Sequence, residues 1–207
     1  MTSGTHQTTH VDARKMLQKG THDAHVRLNR HPLLEQLTSP DYPLERYQQV
    51  IRAYFSCYGQ IEAAIDEALS HWKIDFDYAS RRKQSWLLQD MASFGISPPA
   101  IRRPPAPELI TDEHGVFGVL YTIEGSSLGG RLIAQRLATH FGLKAEYGAR
   151  FFSGYGEMID ANWNEIVSML NTRLNQPHAL SSAIRAANDT FQLIETCLDE
   201  HCPAHSR

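Results

Sequence analysis

The sequence has few cysteines and no long apolar run. Its three cysteines, Cys57, Cys197 and Cys202, form no C-x-x-C pair, and their odd number argues against a disulfide framework and favours a reducing compartment. No apolar stretch approaches the roughly 18 residues that a transmembrane helix needs. Residues 1–10 are polar and lack the apolar segment of a secretory signal. We therefore expect a cytoplasmic protein without a membrane span.

Clusters of basic residues are also absent. The 207 residues carry 20 Lys and Arg against 23 Asp and Glu, with no basic run of the kind that neutralises nucleic-acid phosphates. Nucleic acid is therefore not an expected partner. The 42% content of hydrophobic residues is ordinary for a globular chain of this length. We expect one compact domain over residues 12–200, between a flexible N-terminal tail over 1–11 and a C-terminal tail over 201–207.

The apolar residues recur at helical spacing. From Pro43 onward they follow one another at alternating steps of three and four, which places them on one face of a long helix. The same spacing follows Pro177, a residue suited to the first turn of a helix. No stretch shows the period of two that β-strands show, and a proline-rich segment over 98–107 separates the two halves. We predict an all-α fold of about six to eight helices. The main predicted helices cover residues 13–30, 44–69, 79–94, 112–141, 157–175 and 177–198.

The segment 124–132, EGSSLGGRL, is rich in glycine. Gly125 and Gly130 have the spacing of the glycines in a phosphate-binding loop, whose backbone amides surround phosphate groups. However, Arg131 and Leu132 stand where that loop requires a lysine and a hydroxyl residue. The strands of an α/β nucleotide fold are not indicated either. A helix is therefore the favoured interpretation of this segment.

In a helix over 112–141, which Asp112 would cap, these glycines need a reason because each lowers helix stability by roughly 1 kcal/mol relative to alanine. One face of this helix consists of Gly118, Thr122, Gly125 and Gly129. That face has almost no side chains. Two explanations remain open: close packing of a neighbouring helix, or a flat molecule that lies against the backbone.

A histidine stands beside the apolar stripe of the first predicted helix. The stripe consists of Leu17, Thr21, Ala24 and Leu28. His25 lies at its edge, where an imidazole is either a core residue or a ligand. A metal site that uses His22 and His25 is a further alternative, since the two are i, i+3 neighbours. No glutamate has a histidine three residues later, however, as helical di-iron sites require.

Two segments together resemble the bacterial haem oxygenases. Residues 21–28, THDAHVRL, resemble the helix that supplies the proximal histidine in that family. Residues 120–130, LYTIEGSSLGG, resemble the glycine-rich helix on the opposite side of the haem. Residues 151–156, FFSGYG, followed by Trp163, resemble a further feature of one bacterial branch. The order of the helices agrees with the family from about residue 12 to 200.

The resemblance implies a haem between His25, as axial iron ligand, and a distal wall formed by Gly125, Ser126, Gly129 and Gly130. It implies that haem is both substrate and cofactor and is cleaved with O₂ to biliverdin, CO and Fe²⁺. Because the sequence has no nucleotide-binding fingerprint, the electrons would come from a separate reductase, a ferredoxin or another external donor. A protein that carries haem without cleaving it is the alternative. The oligomeric state is not predicted.

The two propionates of haem would need cations where the pocket opens. The resemblance favours Arg136, because a basic residue occupies the matching position in a bacterial relative. Arg131, Lys19 and the hydroxyl of Tyr121 are further candidates. Each of these cations is alternatively an ordinary surface charge.

Two positions differ from other members of the family. Ser126 stands where mammalian members have an aspartate that organises distal water. Asn29 stands where many relatives have an acid that accepts from the proximal imidazole, and its carbonyl would accept more weakly. The aromatic residues that either line the pocket or belong to the core are Phe117, Phe152, Tyr155 and Trp163. The dipeptide Cys202-Pro203 resembles a short haem-regulatory motif.

Overall fold

The computed structural model describes residues 12–99 and 109–202, which are mostly helical. The predicted tail over 1–11, the residues after 202 and most of the proline-rich segment lie outside the described residues. The described ranges contain no β-strand, and the isolated bridges in them start from Lys144. The predicted all-α class is confirmed.

Eight α-helices make up the described part of the chain. They are α1 (Ala13–Gly20), α2 (His22–Asn29), α3 (Leu44–His71), α4 (Gln84–Ser93), α5 (Gly115–Phe141), α6 (Arg150–Ser153), α7 (Ile159–Arg173) and α8 (Pro177–His201). Short 3-10 turns over Ala79–Arg81 and Gly156–Met158 precede α4 and α7. None of the helices in the described ranges is long and apolar enough to cross a membrane.

The predicted helix over 13–30 is divided at Thr21. The Thr21 hydroxyl donates to the carbonyl oxygen of Leu17 at 2.8 Å, and the backbone of Thr21 leaves helical geometry. A threonine that bonds back to the preceding turn competes with regular helix in this way. The amide of His25 donates to the Thr21 carbonyl at 3.0 Å, so the helical bonds resume at once in α2.

Helix α4 begins at Gln84 and not at residue 79 as the apolar pattern predicts. The cause is Glu62 on α3, whose Oε1 accepts from the backbone amides of Lys83 at 2.6 Å and Gln84 at 2.9 Å. A carboxylate that satisfies the first free amides of a helix fixes where that helix starts. The residue pattern over 79–94 does not indicate this contact, because Glu62 lies on another helix.

Helix α5 has caps at both ends. Asp112 Oδ1 accepts from the amides of His114 at 2.9 Å and Gly115 at 3.0 Å, so the predicted capping residue acts just ahead of the first helical residue. At the other end Gly142 adopts a φ of +67°, a left-handed conformation that glycine adopts without strain. The predicted long helix is therefore present from Gly115 to Phe141.

Helices α5 and α8 pack closely at the centre of the domain, with α3 on one side and α1 and α7 on the other. A side chain at Gly118 would overlap the backbone of Ala183 on α8. One turn later, Thr122 Oγ1 donates to the Gly118 carbonyl at 3.2 Å and approaches the Ala187 carbonyl at 3.5 Å. The first half of the bare face of α5 is thus explained by close helix packing.

Candidate functional site

A cavity of about 610 Å³ lies between α2 and the second half of α5. His25 on α2 and Gly129 on α5 both belong to its wall, so the two segments that stand out in the sequence face the same space. Tyrosine, phenylalanine, tryptophan and isoleucine side chains from other helices complete much of the wall. They are Tyr54, Tyr58, Phe151, Phe152, Trp163, Phe191 and Ile194.

His25 faces this cavity while its neighbours hold α2 in the core. Ala24 and Leu28 are buried, whereas His25 is exposed along the cavity wall. The His25 ring meets Phe191 edge-on, with 6.0 Å between ring centroids. Asn29 Nδ2 lies 3.3 Å from His25 Nε2. Asn29 therefore lies beside the imidazole, but it contacts the ring through its amide nitrogen and not through the expected carbonyl oxygen.

The glycine-rich face of α5 changes its surroundings along the helix. A Cβ added at Gly125 would lie 3.4 Å from the indole of Trp163, an ordinary contact distance. A Cβ added at Gly129 would have no neighbour within 4 Å. The backbone at Gly129 is therefore open to the cavity, and a flat molecule can approach it without meeting a side chain. Close packing explains the bare face at Gly118, and the binding of a flat molecule remains the hypothesis for the open backbone at Gly129.

Gly130 lies at the cavity margin but serves a different contact. A Cβ there would lie 3.0 Å from the carbonyl oxygen of Phe152, so the missing side chain lets α6 approach α5. Asp90 on α4 holds α6 from its other end, accepting from the amides of Arg150 at 2.6 Å and Phe151 at 2.8 Å. Burial raises the pKa of Asp90 to about 6. Gly130 thus helps to fix the aromatic wall of the cavity.

Ser126 and Tyr121 also lie in the cavity wall. Ser126 Oγ donates to the carbonyl oxygen of Ile123 at 2.8 Å, which uses its proton within the helix. The Tyr121 ring lies 5.9 Å from that of Trp163, and burial raises the pKa of Tyr121. At neutral pH Tyr121 therefore remains a neutral hydroxyl that can donate a hydrogen bond.

The basic residues expected to hold propionates lie outside this wall. Arg131 pairs with Asp160 at 3.0 Å on the exposed side of α5, and Lys19 and Arg136 are exposed residues that do not line the cavity. Arg131, two positions after Gly129, turns away from the face that Gly129 occupies, whereas Arg136, seven positions after it, lies on that face two turns farther along the helix. The cations in the wall are Arg14 and Lys83, neither of which the sequence analysis selected.

A buried ion cluster lies behind the glycine segment and was not predicted. Glu124, directly before Gly125, is 2% exposed and accepts hydrogen bonds from Lys83 Nζ and, at 3.2 Å, from Arg81. The Tyr155 hydroxyl donates to the same carboxylate at 2.9 Å. Burial lowers the pKa of Lys83, while burial and the Glu124 charge raise the pKa of Tyr155. Three consecutive basic residues at 81–83 could have indicated this cluster, but Glu124 lies 41 residues after Lys83 in the sequence.

The predicted aromatic candidates divide between three environments. Phe152 and Trp163 line the cavity, Tyr155 belongs to the ion cluster, and Phe117 lies in the core between α5, α7 and α8. Phe151 lies 5.1 Å from Tyr58 between ring centroids and extends the aromatic wall. The FFSGYG segment thus supplies both cavity wall and ion cluster.

The metal alternative has no ligand set in the described ranges. No group of three or more His, Cys, Asp and Glu side chains there could hold a metal ion. His22 does lie in the cavity wall, one turn before His25. The described residues around His22 and His25 therefore do not form a metal centre made of protein side chains alone.

Comparison with known proteins places the chain in a family. The family described as heme oxygenase matches residues 11–200. A heme oxygenase of Xanthomonas campestris pv. campestris is 30% identical over 172 residues, which cover 80% of this chain and 96% of that protein. A crystal structure of the NO- and CO-bound heme oxygenase from Neisseria meningitidis has a TM-score of 0.74, with 22% identity and 92% of each chain covered. A Synechocystis heme oxygenase structure in complex with heme has a TM-score of 0.66, with 16% identity and 92% of each chain covered. The chain therefore belongs to the haem oxygenase family.

Proposed function

We propose that this protein binds haem in the cavity between α2 and α5, with His25 as the iron ligand, and cleaves it with O₂ to biliverdin, CO and Fe²⁺. The observation that carries the proposal is that His25 and the open backbone at Gly129 border one cavity. An imidazole on one side and bare backbone on the other fit a planar macrocycle with a central metal ion. The aromatic side chains between them fit its apolar faces.

Haem supplies the oxygen chemistry when it is bound, and the protein supplies position and surroundings. His25 would supply the nitrogen ligand, and Phe191 and Asn29 lie against its ring and limit its rotation. Gly129 would leave room for a bound macrocycle, whereas Trp163 covers Gly125 and narrows the space next to it.

Propionate binding is best assigned to the cavity wall. Arg14 and Tyr121 lie there, whereas Arg131, Arg136 and Lys19 do not. Arg14 is exposed at the margin of the cavity, where a propionate remains partly hydrated. Arg136→Ala with haem affinity and product unchanged would remove that residue from the candidates.

The electrons come from outside the chain in this proposal. A separate reductase or a ferredoxin is the expected donor, because the sequence carries no nucleotide-binding fingerprint. We also propose a cytoplasmic location, because three cysteines without a C-x-x-C pair fit a reducing compartment.

The test adds one equivalent of hemin to the purified protein, supplies a reductant in air and follows the visible spectrum. We expect the Soret band to disappear while a bile-pigment band grows. His25→Ala should abolish or greatly impair this conversion, whereas His22→Ala, which alters the same wall one turn earlier, should retain it. A stable hemin complex in the wild-type protein would indicate a carrier, and no complex at all would overturn the haem site.

A further inference from the structure

The side of the cavity formed by α5 has no charged residue of its own. The α5 residues in the wall are Tyr121, Thr122, Gly125, Ser126, Ser127, Leu128, Gly129, Gly130 and Ile133, all of them uncharged at neutral pH. The charge that borders this side comes from Lys83, which precedes α4 and is 2% exposed. An ammonium in such surroundings acts over a longer range than one in water, because the local dielectric constant is low.

Lys83 is held in one position by all three of its donor hydrogens. Nζ donates to Glu124, to the Tyr155 hydroxyl at 3.0 Å and to the Arg81 carbonyl at 3.3 Å. The backbone amide of Lys83 donates to Glu62 on α3 at 2.6 Å. The side chain therefore cannot turn toward solvent without breaking several buried hydrogen bonds.

The buried carboxylates near Lys83 do not line the cavity, whereas Lys83 does. Glu124 is shared between Lys83 and Arg81, and the second partner of Arg81 is Glu165, whose side chain is 58% exposed and hydrated. Glu62 lies on α3 outside the cavity wall, and Arg82 approaches it at 3.7 Å. Lys83 is therefore the charged group of this cluster that borders the cavity.

We propose that Lys83 supplies the positive potential on the glycine side of the cavity and thereby favours small anions that bind haem iron on that side. The proposal rests on the haem site proposed above. Ser126 is uncharged, so the α5 side of the cavity has no carboxylate in its wall to oppose Lys83. Hydroxide and azide are the anions that report on this potential directly.

The test compares Lys83→Met with Glu124→Gln and Arg82→Met in the ferric hemin complex. Azide affinity and the midpoint of the change from iron-bound water to hydroxide are read from the visible spectrum, without turnover. We expect Lys83→Met to weaken azide binding about tenfold and to raise the midpoint by about one pH unit. Glu124→Gln removes the negative partner and should not weaken azide binding. Arg82→Met removes a cation outside the wall that pairs with Asp66 and lies 3.7 Å from Glu62, and it should weaken azide binding less than Lys83→Met does.

Three outcomes would overturn the proposal. One is unchanged azide affinity in a Lys83→Met protein that binds hemin, and another is an equal loss in Lys83→Met and Glu124→Gln, since that would indicate a structural effect. If Lys83→Met does not fold, the comparison uses Lys83→Gln, which keeps a donor for Glu124, and Lys83→Arg, which keeps the charge. The third outcome that would overturn the proposal is equal azide affinity in Lys83→Gln and Lys83→Arg. A wild-type protein that does not bind hemin would overturn the haem site, which is a separate result.

Discussion

The backbone of Ala183 occupies the space where a side chain at Gly118 would be. The two residues belong to the two long helices at the centre of the domain, and the absent side chain sets how closely those helices approach. Gly118 and Gly129 look alike in the sequence, since both lie on the same bare face of α5. Their surroundings differ completely, and this difference leads to opposite predictions for the same substitution.

Gly118→Ala should destabilise the fold. The new methyl group must push α8 away from α5, and such overpacking costs about 2 kcal/mol even after the gain in helix propensity. We expect the melting temperature to fall by roughly 6 °C in a thermal scan followed by circular dichroism. An unchanged melting temperature would show that the helices are farther apart in solution.

Gly129→Ala should leave the fold intact and impair haem binding. The methyl group meets nothing in the protein, so the helix gains up to about 1 kcal/mol of stability. The same methyl group projects into the space assigned to haem. We expect a higher melting temperature together with weaker hemin binding in a spectroscopic titration, and equal hemin affinity in the variant and the wild type would contradict the assignment of this wall.

Asn29→Asp should strengthen the proximal ligand. A carboxylate at this position would accept from the N–H of the ring nitrogen that does not bind iron, which would make the imidazole more anionic and a stronger ligand. Resonance Raman spectra of the ferrous complex should show a higher iron–histidine stretching frequency in Asn29→Asp than in the wild type. A frequency that is the same in the wild type, Asn29→Asp and Asn29→Ala would show that this side chain does not act on the ligand.

The stability of the domain should depend on the protonation of Asp90. Burial raises the folded-state pKa of Asp90 to about 6, above its ordinary value of 3.8. The folded protein therefore binds this proton more tightly than the unfolded chain, and the resulting stability is lost as pH rises from about 4 to about 6. We expect the difference in unfolding free energy between the wild type and Asp90→Asn to fall by about 2 kcal/mol across this window. Urea denaturation at several pH values measures it, and a difference that grows with pH would contradict the assignment.

The sequence was sufficient for the helical fold and for the two main parts of the site. Helical spacing predicts α3, α5 and α8 because a long amphipathic pattern is a local property. The segments around His25 and Gly129 were chosen for their residue types, and both border the cavity.

Features that depend on distant partners could not be predicted. Helix α4 starts where Glu62 of α3 caps it, and the bare face of α5 divides according to which helix lies against each glycine. The cluster of Lys83 and Glu124 joins segments that are 41 residues apart. Arg131 was chosen because it follows the glycines, and Arg136 because a basic residue occupies the matching position in a bacterial relative. Neither lines the cavity: Arg131 turns away from the glycine face of α5, and Arg136 lies two turns beyond Gly129.

Helix α5 is fixed at three places along its length. Ala183 meets it at Gly118, the ion cluster holds Glu124, and the Phe152 carbonyl meets Gly130. Helix α2, in contrast, is only eight residues long, packs mainly against α8 and follows the break at Thr21. The α5 wall of the cavity is therefore held more rigidly than the α2 wall. Substitutions that loosen or stiffen the connection at Thr21 should change the rate at which the protein takes up hemin. The position of the α5 backbone, in contrast, should be the same whichever ligand is bound.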